Sequence, residues 1–285
     1  MKHLLRLFRS RRTDCGTVGD SEDELFVFAH MPKTGGQSLR TFFARHPALR
    51  GRFVYLVHAH IRNGHLGMTP TAFEQQPPEE RMRTKVILGH VVNKQTHTLL
   101  PGRIPRHIVL VREPAETLVS YYNHQMKQAR LADQPAVDFE QWYDRSKRDN
   151  LMTRWLLTEF MMEPCPERMT GRELKQVQAM LQTFWFVGCT EYLDRDAPIL
   201  FRRMGLSGVL KRTNVAGLHH EKIMTLDNRL RQRLRAENPL DVELHDYWKA
   251  QLDQTLERIR AEIEVQSQAQ ARKLSSKNEF ANHRS

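Results

Sequence analysis

Pro32-Lys33-Thr34-Gly35-Gly36-Gln37-Ser38 places one lysine, two hydroxyls and two glycines between an apolar run and a stretch with helical spacing. A strand-to-helix turn of this composition offers free backbone N–H groups, room for close approach and a fixed cation, the ingredients of a phosphate cradle. It is not a Walker A loop. GxxxxGK[ST] carries its lysine after the glycines, whereas Lys33 and Thr34 precede Gly35 and Gly36. An ordinary P-loop kinase or ATPase is thereby disfavoured, although the stretch alone also reads as a glycine turn with an incidental lysine.

Two more segments carry chemistry. Arg112, at the end of Ile108 to Val111, precedes Glu113-Pro114 and a helical pattern in which Ser120 sits two turns on. An arginine fork and a hydroxyl can hold a second phosphate, but an Arg-Glu pair at a strand end is more often a plain salt bridge. Gly89-His90 follows the apolar run Lys85 to Leu88. A histidine there can accept a proton from a substrate hydroxyl near neutral pH, or it can be a hydrogen-bonded structural residue.

These groups need a scaffold that brings strand ends together. Apolar runs at Leu25 to His30, Phe53 to Val57, Lys85 to Leu88, Ile108 to Val111 and Phe184 to Val187 have strand length, and helical spacing separates them over Gln37 to His46, Glu116 to Gln128 and Gly171 to Gln182. That alternation predicts an α/β fold, a single P-loop-like domain whose mainly parallel sheet is flanked by helices. Ligands bind such sheets at the carboxyl ends of the strands, which is where all three segments fall. From Glu221 to Gln268 two amphipathic helices are expected, broken at Asn238-Pro239 with Asp241 as the second N-cap, and packed on the sheet domain. The boundaries drawn are a basic and polar N-terminal segment over 1–24, the catalytic domain over 25–270 and a flexible tail over 271–285.

With 285 residues, 40% of them hydrophobic, the chain can bury a substantial core and is not disordered throughout. No apolar stretch is long enough to cross a bilayer. A net charge of +11 predicts attraction to anions without selecting one. Cys15, Cys165 and Cys189 are too scattered for a disulfide framework or a CxxC metal site and suit a reducing compartment. In MKHLLRLFRSRR, leucines interleaved with basic residues allow weak peripheral contact with an anionic membrane, although a frayed terminus is the plainer reading.

His30 to Leu39 (HMPKTGGQSL), Leu88 to Val91 (LGHV) and Leu110 to Tyr122 (LVREPAETLVSYY), in this order, resemble the sulfotransferases that use 3′-phosphoadenosine 5′-phosphosulfate (PAPS). The likeness is to the carbohydrate O-sulfotransferases of the heparan sulfate 2-O-sulfotransferase type and their bacterial relatives. Val187 to Asp194 and Lys211 to Asn214 also look like segments of that group. The resemblance implies that Lys33 stabilises charge on the leaving phosphate, that Thr34, Gly35, Gly36, Gln37 and Ser38 cradle the 5′-phosphate, and that Arg112 and Ser120 hold the 3′-phosphate. It further implies that His90 deprotonates the acceptor hydroxyl and that Lys211, Arg212 and Thr213 close over the nucleotide. PAPS is then the co-substrate, no metal is expected, and the acceptor is a hydroxylated molecule, a carbohydrate by preference. Gln37 and Glu113 replace the more usual hydroxyl residue and aspartate. No anchor or stem is visible, which points to a cytoplasmic, bacterial protein.

Three rivals stand beside this reading. His58, His60 and His65 with His90 offer a zinc site and a metallohydrolase, without a carboxylate or cysteine at familiar spacing. A nucleic-acid-binding module fits the net charge, but the late helices interleave basic with acidic residues and show no base-stacking motif. A nucleotide kinase with an altered phosphate loop would require ATP and Mg²⁺. Met161, Met162, Trp142, Tyr143 and Trp155 either line an acceptor cleft or belong to the core. The sequence leaves the acceptor and the oligomeric state open.

Overall fold

The computed structural model describes residues 23–58, 67–146, 149–211 and 223–282. Five strands, β1 (Glu24–Ala29), β2 (Phe53–Leu56), β3 (Val86–Gly89), β4 (Ile104–Val111) and β5 (Phe186–Cys189), form one sheet in the order β2-β3-β1-β4-β5. Every pairing is parallel, so the mainly parallel sheet expected is wholly parallel among the described residues. Leu25 to Ala29 are almost fully buried because helices cover both faces of a central strand, which is why they read as a continuous apolar run rather than an alternation. The chain winds from β1 out to β2 and back to β3, then crosses to β4 and β5 on the other side of β1. The crevice at such a reversal is where an open parallel sheet binds ligands.

The helices are α1 (Gly36–Arg45), α2 (Pro70–Glu74), α3 (Pro78–Met82), α4 (Pro114–Leu131), α5 (Phe139–Ser146), α6 (Leu151–Trp155), α7 (Gly171–Leu181), α8 (Leu193–Arg203), α9 (Asn228–Glu237) and α10 (Pro239–Asn282). Phe42 of α1 stacks on Phe201 of α8, with ring centroids 3.9 Å apart. A second apolar cluster joins α4, α5 and α9 around Tyr122, Phe139, Trp142 and Leu234. Trp142 is therefore core, its indole N–H donating to Gln125, and Tyr143 packs beside it. Trp155 and Met161 pack against the main core, while Met162 is exposed. Of the candidate acceptor-cleft residues, most are thus structural.

Several boundaries differ from those read in the sequence. β4 starts at Ile104 rather than Ile108, because the polar, half-exposed Pro105-Arg106-His107 still pairs with Leu25 to Val27. The second late helix does not end near Gln268: α10 continues to Asn282, into the segment drawn as a flexible tail, with no glycine or proline after Pro239 to stop it. Asp241 is not the N-cap of its own helix. α10 begins at Pro239, and the Asp241 carboxylate accepts from the Met152 and Thr153 N–H groups and the Thr153 hydroxyl, each at 2.8 Å, which caps α6. Asn150 returns the favour: its side-chain oxygen accepts from the N–H groups of Leu240 and Asp241. Buried and bonded in this way, the two residues lock α6 and α10 together.

At the amino ends of the strands Glu24 is buried, its two oxygens accepting from Arg203 at 2.7 and 2.8 Å and from Arg106 at 2.7 Å. Arg203 also donates to Glu262 of α10 at 2.8 Å. One ionic network thus ties β1, β4, α8 and α10. Residues 1–22 of the basic N-terminal segment, with the expected membrane contact, lie outside the described residues, while Glu24, drawn as its last residue, opens β1 instead. Among those described, no helix is long and apolar enough to cross a membrane.

Candidate active site

The carboxyl ends of β1, β3, β4 and β5 bring together Lys33, His90, Arg112 and Thr190. After β1 the chain turns sharply: Lys33 (φ 67°) and Gly35 (φ 90°) both lie in the left-handed region. For a lysine this is strained, and the strain is held by bonds around it. Arg112 donates to the Lys33 carbonyl at 3.0 Å, and the Thr190 hydroxyl lies 2.8 Å from the Thr34 carbonyl and 3.1 Å from that of Val111. The Thr34 hydroxyl turns inward to the Met31 carbonyl at 2.9 Å, so Thr34 shapes the loop and has only its backbone N–H to offer a ligand. α1 starts at Gly36 with no side chain capping it and no acidic residue in its first turn, which leaves a positive dipole end facing the crevice.

His90 leaves β3 directly above this loop. Its ring stacks on that of His30 at 4.0 Å between centroids, and its Nδ1 lies 2.6 Å from the His30 carbonyl. A carbonyl only accepts, so Nδ1 carries the proton and Nε2 keeps its lone pair. Burial lowers the His90 pKa, the bond to the His30 carbonyl works against that, and the nearby positive charges of His58, Arg40 and Lys33 lower it further. The imidazole is therefore neutral and ready to take a proton at physiological pH. His30 is pushed well below the ordinary histidine range, first by burial and then by His90, Arg40 and Lys33, and its buried Nδ1 has no partner among the described residues.

Gly36 makes the histidine pair possible. A Cβ there would come within 1.9 Å of the His30 ring, which cannot retreat because it is buried against His90. Gly36→Ala is expected to lose about 1–3 kcal/mol of stability through overpacking and to displace His90. Thermal melts and the pH profile of activity check this; an unchanged melt would show that the two rings have room to move.

Arg112 and α4 form the next wall. The Arg112 guanidinium reaches the Glu116 carboxylate at 3.3 Å, and Glu116 is also held by Arg231 of α9 at 2.7 Å. Glu113 caps α4 by accepting the Glu116 N–H at 2.8 Å and pairs with Arg231 and Arg235. Ser120 lies one turn beyond Glu116 on the same helix face, followed by His124 and Lys127. His124 has a lowered pKa, first from burial and then from Lys33, Lys127 and His90, so this face of α4 looks toward the phosphate loop. The Lys33 pKa is lowered too, by burial and then by the positive charges of Arg112 and Lys127. Among the described residues no carboxylate pairs with Lys33.

The structure thus places Lys33 to Ser38, His90 and Arg112 at neighbouring strand ends, with Ser120 on the adjoining helix face. Lys211 is exposed, and no contact described joins it to Lys33, His90 or Arg112; the segment before it lies beside α1, where His46 Nε2 is 2.8 Å from the Ser207 carbonyl. Arg212 and Thr213 lie outside the described residues, as do His60 and His65 of the alternative zinc site. His58 is exposed at the end of β2. Sequence reasoning missed His30, Thr190, His124, Lys127, Arg231 and Arg235. Only His30 carried a signal, since it ends the same apolar run that feeds the phosphate loop.

A groove of about 230 Å³ lined by Trp185, Tyr247, Trp248 and Arg258 opens beside the amino end of β5, away from these residues. No family model matches the chain, and no curated protein does. Among solved structures the chain is similar to that of a sulfotransferase from Alicyclobacillus acidocaldarius, with 15% identity and a TM-score of 0.45 over 79% of this chain and 94% of that one.

Proposed function

We propose that the chain is a PAPS-dependent O-sulfotransferase that passes a sulfuryl group to the hydroxyl of an acceptor, a carbohydrate by preference. The observation that carries this reading is a neutral imidazole, His90, whose Nε2 lone pair is left free by the 2.6 Å bond at Nδ1, set beside a cationic loop without a compensating carboxylate on Lys33. A base without an anion site would suit many reactions, and an anion site without a base would suit mere binding. Their combination suits transfer of a charged group to a hydroxyl.

The residues fit the donor nucleotide. The uncapped start of α1, the glycine pair and Lys33 offer N–H groups and charge for a 5′-phosphosulfate, and the repulsion among Lys33, Arg112 and Lys127 is what an anion would relieve. In the transfer, the sulfur bond to the donor phosphate breaks as the acceptor oxygen bonds to sulfur; the leaving phosphate oxygen keeps the electron pair and the acceptor proton goes to His90 Nε2. Lys33 stabilises the charge that builds on the leaving oxygen. Arg112 and Ser120 hold the 3′-phosphate. In this structure Arg112 is shared with Glu116, which Arg231 holds in turn, so phosphate binding requires the Arg112–Glu116 bond to yield.

The direct test is incubation with labelled PAPS and a panel of carbohydrate acceptors without metal, in parallel with calorimetry of adenosine 3′,5′-bisphosphate. Transfer of label and uptake of the bisphosphate are expected. Activity with ATP and Mg²⁺ alone would favour a kinase. Arg112→Ala should weaken the bisphosphate by roughly 1.5–3 kcal/mol, the worth of a charge-assisted hydrogen bond, and an unchanged affinity would remove Arg112 from the 3′-phosphate site.

A further inference from the structure

We propose that Cys189, Glu191 and His245 form a zinc-binding site at the carboxyl end of β5, separate from the pocket of His90. One sulfur, one carboxylate oxygen and one ring nitrogen from these residues lie within 4.8 Å of one another. They come from the last residue of β5, the short turn after it (Thr190–Tyr192) and α10. The pairing is long-range, and its members differ in type as zinc ligands do.

Three details point to an ion. His245 is buried, and its Nε2 has no hydrogen-bond partner among the described residues although it lies 3.6 Å from Glu191 Oε2. Zinc bonds of roughly 2.0–2.3 Å in tetrahedral geometry separate ligand atoms by about 3.3–3.8 Å. The histidine–glutamate gap is therefore already that of two ligands of one ion, and too long for a hydrogen bond. Behind the ring, Nδ1 lies 3.0 Å from Asp246 Oδ1, the carboxylate support that orients a metal-bound histidine. Thiolate, imidazole and carboxylate together select a borderline ion such as Zn²⁺ over Mg²⁺ or Ca²⁺. Binding releases the Cys189 thiol proton to solvent, and the two negative ligands with the neutral imidazole then balance the charge of the ion.

Two other readings account for less. A protonated His245 bridging Glu191 and Asp246, with Cys189 as part of the apolar core, accounts for the carboxylates but not for the convergence of sulfur, oxygen and nitrogen on one point. A nucleophilic Cys189–His245–Asp246 arrangement fails on access, because Cys189 is 1% exposed. No substrate reaches that sulfur, whereas an ion enters along Glu191, whose side chain is 34% exposed. The other oxygen of Glu191 accepts the Glu113 N–H at 2.6 Å, so an ion held here braces the turn that carries Arg112. The fourth position is left to water.

The test uses the full chain, stripped with a chelator and titrated with ZnCl₂ against a competing dye, with Co²⁺ as a spectroscopic probe. One equivalent of zinc is expected, with a raised melting temperature and a near-ultraviolet sulfur-to-cobalt charge-transfer band. Cys189→Ser should abolish that band while Cys165→Ser keeps it, and Asp246→Asn should weaken zinc about 10- to 100-fold. Absence of the band in the wild type, or its persistence in Cys189→Ser, overturns the proposal. Should Cys189→Ser fail to fold, Asp246→Asn decides, since Asp246 is largely exposed; equal zinc affinity in that variant also overturns it. None of these readouts involves PAPS, so the zinc site and the sulfotransferase reading stand or fall separately.

Discussion

Replacing His90 by alanine is expected to lower turnover about 100- to 10,000-fold, the usual contribution of a positioned general base, while affinity for adenosine 3′,5′-bisphosphate stays nearly unchanged. The separation follows from the layout. The phosphate-binding groups belong to the loop after β1 and the turn after β4, and the imidazole to the end of β3, where it touches the loop through His30. The loss should fall on kcat, because a proton acceptor acts as the transition state forms. The pH profile adds a second reading. Burial first, with the charges of His58, Arg40 and Lys33, keeps the His90 pKa below the ordinary histidine value, so activity should hold as the pH falls through that value and decline only below it. The alanine variant should lose this acid limb. Weakened nucleotide binding with full turnover at saturating PAPS would show that His90 is a binding residue and not the base.

Much of this site was legible because its chemistry sits next to hydrophobic punctuation. Lys33 to Ser38, His90 and Arg112 each follow an apolar run, and in a parallel sheet the end of such a run is where the chain meets ligand. What stayed hidden depends on approach between distant segments. The stacking of His30 on His90 joins β1 to β3, and neither residue's neighbours announce it. Thr190 and Glu191 lie beyond β5 and act on loops far away in sequence, Thr190 on Thr34 and Glu191 on the Glu113 N–H. The arginines of α9 read as a solvated helix face, whereas Arg231 and Arg235 reach about 120 residues back to Glu113. Asp241 shows the same limit at a single residue: aspartate before a helical run is the ordinary N-cap signal, and here the carboxylate caps another helix instead. Local rules find elements and their ends, while pairing between elements is fixed by packing.

Arg203→Ala is expected to cost about 3–5 kcal/mol, because it leaves the buried Glu24 carboxylate with Arg106 as its one side-chain partner among the described residues. Against a typical total stability of about 5–15 kcal/mol this is severe, and at roughly 2–4 °C per kcal/mol the melting temperature should drop by about 10 °C. Glu262 would lose its bond to Arg203 as well, loosening α10 from the sheet. The pH dependence follows from Glu24. Burial by itself raises the carboxyl pKa, but the hydrogen bonds and charges of Arg203 and Arg106 outweigh it, and the net shift is downward. A lowered carboxyl pKa contributes stability that is present above the unfolded value and lost as the pH falls through the folded one. The gap between wild type and variant should therefore be widest near neutral pH and narrow in strong acid, where Glu24 is protonated in both. Differential scanning calorimetry of the two proteins across that range measures it. A gap that widens toward acid would mean that Glu24 is not the ionised centre of this network, and a variant that melts with the wild type would mean that α8 and α10 are held to β1 by apolar packing alone.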